Sequence, residues 1–123
     1  MSSKCSVLQA IANASQSVDS FLSNPAGLTA TAVTSLVNQV LLIQGAVQDL
    51  PINAVRKTDI VNRLNQAVTI LQGGTGLTNI EIILAVSQIL QTVALKVENL
   101  TLSCPQGITI IRPSNIFSTI CQC

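Results

Sequence analysis

Histidine, tryptophan and tyrosine are absent from this 123-residue chain, and only 9% of its residues are charged. Each absence narrows what the chain is expected to do. Without histidine there is neither Ser-His-Asp nor Cys-His catalysis, and the commonest metal ligand is missing as well. With two phenylalanines as its only aromatic residues, the chain has no set of rings on which single-stranded nucleic acid could stack. Its cations, Lys4, Arg56, Lys57, Arg63, Lys96 and Arg112, are scattered, so no phosphate-neutralising patch is expected and nucleic acid is excluded as a partner. No run of about 18 or more consecutive apolar residues occurs, so no transmembrane segment is expected. The carboxylates Asp19, Asp49, Asp59, Glu81 and Glu98 lie far apart in the sequence and suit caps, corners and exposed faces. Gly73-Gly74-Thr75-Gly76 precedes a helix but follows another helix and lacks the Lys-Ser/Thr of a phosphate loop. The expectation is a protein that is not an enzyme and has no metal or cofactor.

The poverty of charge also bears on association. A typical domain is about 25% charged, whereas here nothing between Asp19 and Asp49 carries a charge and the net charge is +1. The surface must therefore be built from Ser, Thr, Asn and Gln with exposed aliphatics. Such a surface favours association over colloidal solubility. Lys4 before Val7–Ala12, with Ala12-Asn13-Ala14 after it, imitates a signal peptide. The apolar segment is too short and is broken by Gln9, so no cleavable signal is expected.

What the chain does have is helical periodicity. From Gly76 to Leu100, apolar residues recur at Ile83, Val86, Leu90, Val93, Val97 and Leu100, the spacing of a core helix. Thr78 followed by Glu81 forms a capping box at its start. Ile82, Ile89 and Lys96 lie beside the main stripe and widen it. Three further segments read the same way. The first carries Val7, Leu8, Ile11, Val18, Phe21 and Leu22. The second follows Thr29 as its cap and carries Val33, Leu36, Val37, Val40, Leu41, Ile43, Val47 and Leu50. The third follows Asn53 and carries Val55, Ile60, Val61, Leu64, Ala67, Val68 and Leu71. The expected fold is all-α: a four-helix bundle over residues 1–102, with helices at about 4–22, 29–50, 53–72 and 78–101, followed by an extended, partly β arm over 103–123. Gly27-Leu28-Thr29 repeats as Gly76-Leu77-Thr78, and at that offset Val37 matches Val86 and Leu41 matches Leu90. The pattern is compatible with a duplicated helical hairpin.

The arm differs in character. Cys104-Pro105-Gln106-Gly107 is a turn signal and Ile108–Ile111 is a β-type run ending at Arg112-Pro113. That run must pair with 100–103, lie in a groove of the body, or add to a neighbouring subunit. Ile108, Ile110, Ile111, Ile116, Phe117 and Ile120 give the arm an apolar, assembly-prone surface. Cys5, Cys104, Cys121 and Cys123 are the disulfide candidates. Four thiolates could also bind zinc, but these lack the usual C-x₂₋₄-C spacing, and buried free thiols remain an alternative. Cys121 and Cys123 are poorly placed to bridge each other, so each needs a partner elsewhere in its own chain or in a neighbour.

In style, being leaderless, cysteine-containing, poor in charge and rich in Ser, Thr, Asn and Gln, the chain resembles bacterial spore coat and exosporium proteins. The resemblance implies a surface or extracellular location and transfers no site residue. The expected function is that of a non-enzymatic, self-assembling coat, exosporium or filament subunit. Its partner is itself, a homo-oligomer or polymer made by exchange of the C-terminal arm and cross-linked by disulfides. The alternatives are a disulfide-closed helical carrier of an apolar ligand, and an adaptor or inhibitor presenting a helical face.

Overall fold

The computed structural model describes residues 4–73 and 76–99, and the backbone of 109–111 and 120–122. The body is all-helical, with four α-helices: α1 (Lys4–Asp19), α2 (Ala30–Gln48), α3 (Ala54–Gln72) and α4 (Asn79–Glu98). Local chemistry sets their ends. Thr29 Oγ1 accepts from the Ala32 N–H at 3.3 Å, and Asn53 Oδ1 accepts from the Val55 N–H at 2.7 Å. At α4 the box closes both ways: Thr78 Oγ1 accepts from Glu81 N at 3.3 Å, and Thr78 N donates to Glu81 Oε1 at 3.0 Å. These oxygens take up N–H groups that have no partner within the helix. α3 stops at Gly73, whose φ of +86° and ψ of −167° fall in an extended, positive-φ region open essentially to glycine alone.

α1 ends sooner than its apolar pattern suggests, passing into a 3-10 turn at Ser20–Leu22 and another at Pro25–Gly27. The hydroxyls of Ser17, Ser20 and Ser23 donate back to the carbonyls of Asn13, Ser17 and Ser20. Those bonds compete with the regular helical ladder where it is already fraying. Leu22 consequently lies outside the core, at 45% exposure.

Each helix packs against its neighbours in sequence, and α4 closes the ring on α1. The short connections make successive helices antiparallel. Leu8, Ile11, Ile43, Leu50, Ile60, Leu64, Ile83 and Leu90 are all below 2% exposure or at 2% and fill the centre. Each seam also carries a polar tie. Gln39 Nε2 donates to Ser17 Oγ at 3.3 Å between α1 and α2. Gln44 Nε2 donates to Asn65 Oδ1 between α2 and α3. Lys96 Nζ lies 3.0 Å from Asp59 Oδ2 between α3 and α4. Ser87 Oγ donates to Asp19 Oδ1 at 2.9 Å between α4 and α1.

Besides Leu22, two apolar positions expected in the core face solvent: Leu41 at 47% and Val55 at 77% exposure. Leu41 lies on the outer face of α2, and Val55 is in the first turn of α3, at the end of the ring where little helix remains alongside. The two halves also bury different faces, because Leu41 matches Leu90, which is fully buried. In the tail, Thr109–Ile111 (β1) and Ile120–Gln122 (β2) pair antiparallel, with Thr109 opposite Gln122, Ile110 opposite Cys121 and Ile111 opposite Ile120. This partner for β1 is not among those the sequence suggested.

Candidate functional site

The alternation of helices gives the body two ends of different chemistry. One, the base, collects the start of α1, the end of α2, the start of α3 and the end of α4. Lys57 Nζ donates to the Gln48 carbonyl at 2.8 Å there, and Lys96 meets Asp59. The other, the crown, collects the 3-10 turns and the start of α4, where Asn79 Nδ2 donates to the Pro25 carbonyl at 3.0 Å. Among the described residues, Lys4, Arg56, Lys57 and Lys96 belong to the half nearer the base, with Asp49, Asp59 and Glu98, and Arg63 stands at the midpoint of α3. The crown half has Asp19 and Glu81 and no cation.

At the base a cleft of about 260 Å³ is lined by Arg56, Asp59, Ile60, Lys96 and Asn99. Asp59 is its electrostatic centre, with Lys96 Nζ at 3.0 Å and Arg63 Nε at 3.4 Å. The hydrogen bond from Lys96 is the main cause holding the Asp59 carboxyl below its ordinary range. The Glu81 carboxyl at the crown is also lowered, first by the backbone N–H of Thr78 and then by its hydroxyl. Both carboxylates thus serve the fold. The cleft is open to solvent and ringed by charged and amide side chains over a largely apolar lining, unlike an enclosed chamber.

Cys5, in the first turn of α1, is 1% exposed and disulfide-bonded. The chain's other cysteines are Cys104, Cys121 and Cys123, all within the 103–123 arm. β2, which contains Cys121, packs near α1. Cys104 and Cys123 lie outside the described residues, as do Ile108, Ile116 and Phe117. Ile110, Ile111, Ile120 and Cys121 are described only as strand backbone. Among the described residues no group of three or more cysteine or carboxylate side chains is placed to hold a metal ion.

The remaining candidate surface is α2, whose outward positions include Thr31, Thr34, Ser35, Asn38, Leu41, Leu42 and Gly45, with no charge. Leu42 is 72% exposed. By length and composition alone, α2 and α4 are apolar enough to cross a membrane; their most apolar windows are 28% and 44% buried in the body. The outer face of α2 escaped the sequence reading because a helix with apolar residues on most sides does not reveal which side its neighbours cover. No protein-family model matches this sequence, no curated protein matches it, and no solved structure matches its fold.

Proposed function

We propose that the protein is a non-enzymatic, self-assembling structural subunit of a cell or spore surface, cross-linked through disulfides of its C-terminal arm. The observation that carries this reading is the outer face of α2: uncharged throughout, with Leu41 at 47% and Leu42 at 72% exposure. A small domain gains nothing in solubility from such a face, which is suited to contact with other copies. The Cys5 bridge supplies the covalent part. Arm exchange between copies would form the same bond with a neighbour's Cys5 in place of the chain's own, and exchange of an identical element costs little.

A second reading, a small disulfide-closed carrier of an apolar ligand, is favoured by one observation: Cys5 is fully buried in the first turn of α1. The openness of the basal cleft, which encloses no ligand, weighs against it. Non-reducing and reducing electrophoresis with intact mass, on protein isolated from its source, separates the two. Multimers that collapse to one band on reduction support the cross-linked subunit. A monodisperse monomer lacking about four hydrogens, with a copurifying lipid, selects the carrier. A monomer with four free thiols removes both.

A further inference from the structure

We infer that two copies of this chain pair through the outer face of α4, antiparallel and about a two-fold axis. This rests on the self-assembly reading and names one of its contacts. Ile80, Leu84 and Leu95 stand 51%, 53% and 60% exposed on that face, with Gln88 and Gln91 exposed between Leu84 and Leu95. Leu84, Gln88, Gln91 and Leu95 follow one another at steps of four, three and four residues. That alternation keeps them on one stripe of the helix and is the spacing of a helix-pairing seam.

The stripe reads the same in both directions, Leu-Gln-Gln-Leu, as an isologous antiparallel contact requires. With the axis between Gln88 and Gln91, Leu84 of each copy meets Leu95 of the other, and Gln88 meets Gln91. The leucines supply apolar area to be removed from water. The glutamines decide what covers it. A lipid surface or an apolar ligand would strip their amides of water and return no hydrogen bond, whereas a second copy presents the same amides, each both donor and acceptor. Residues 82–95 carry no charge, so the central turns meet without repulsion. The next positions outward bring Glu81 near Glu98 of the other copy, at the rim, where salt screens them. Antiparallel pairing also sets the N-terminus of each α4 beside the C-terminus of the other, where the helix dipoles attract. α2 lies diagonally across the ring from α4, so its own uncharged face points outward on both sides of the pair.

Sedimentation velocity of the full chain, with reductant present, tests the contact, and urea unfolding checks that each variant is folded. Leu84→Glu/Leu95→Glu weakens dimerisation at least about tenfold. Leu84→Glu/Leu95→Lys, equally polar, recovers about fivefold of that loss at low salt. Antiparallel pairing sets each introduced acid against an introduced base, where parallel pairing would set acid on acid. Leu42→Lys, on α2, leaves the pair intact. Added NaCl tightens the wild-type pair by screening Glu81 from Glu98. A Leu84→Glu/Leu95→Lys protein that associates no better than Leu84→Glu/Leu95→Glu overturns the antiparallel arrangement. A wild type that stays monomeric, one that floats with phosphatidylcholine vesicles instead of pairing, or variants that all associate alike overturn the α4 contact itself. A reduction-sensitive ladder on gels beside any of those results leaves the cross-linked subunit standing. Pairing that depends on positions 84 and 95, with no ladder in any sample, keeps the contact and removes the disulfide links.

Discussion

Replacing Thr78 by Ala tests how the central helix is started. Thr78 is exposed, so truncation leaves no cavity in the core, and the loss is confined to the cap. The hydroxyl accepts from Glu81 N at 3.3 Å, while Glu81 Oε1 accepts from Thr78 N at 3.0 Å. Removing an N-cap threonine costs about 1 kcal/mol, which in a domain of this size lowers Tm by about 4 °C. Urea and thermal unfolding followed by circular dichroism give both values. Glu81→Gln keeps the shape of the partner and removes its charge, and its effect depends on pH. Because the folded carboxyl is held below its ordinary value of 4.5, its contribution is present above that value and is lost as pH falls through the lower folded one. The advantage of wild type over Glu81→Gln therefore vanishes in acid. A double-mutant cycle between positions 78 and 81 shows coupling if the box acts reciprocally. A Thr78→Ala protein as stable as wild type, or two additive substitutions, refutes the reasoning.

Leu90→Ala, at a fully buried position of α4, lowers unfolding free energy by about 3 kcal/mol or more in urea titrations. Leu42→Lys, on the outer face of α2, leaves stability within about 0.5 kcal/mol but reduces self-association at high protein concentration, measured by light scattering. Lys96→Met removes the main cause of the lowered Asp59 carboxyl, so carbon-detected NMR titration finds the Asp59 pKa moved up toward its ordinary 3.8. In the wild type the Asp59 pair stabilises the fold above that value and ceases to do so as pH falls through the lower folded one.

The all-helical body was legible because its signals are local. Thr78 and Glu81 are three residues apart, the spacing of Leu90, Val93 and Val97 spans two turns, and Thr29 and Asn53 each stand directly before a helix. What depended on long-range packing was less visible. Ser87 and Asp19 are 68 positions apart, and no periodicity connects them. Leu41 and Leu42 have the same composition as core leucines, and only the placement of α1 and α3 leaves them outside. The gathering of charges at one end likewise emerges only when the alternation of helices brings Arg56 and Asp59 beside Lys96. Among the proposed site residues, Cys5 lies buried in the first turn of α1. Most of the arm, including Ile108, Ile116 and Phe117, lies outside the described residues.

The positions of the cations also determine how the folded body meets proteases. An enzyme that cuts after lysine or arginine finds no such residue in the links between the helices, because Lys4, Arg56, Lys57, Arg63 and Lys96 all lie within helices. Exposed loop tips are where folded proteins are usually nicked. Here trypsin-like cleavage of the body must wait for a helix to open, so its rate follows the stability of α3 and α4 rather than the accessibility of the turns. The placement of a handful of charges thus makes the folded body slow to digest by such an enzyme.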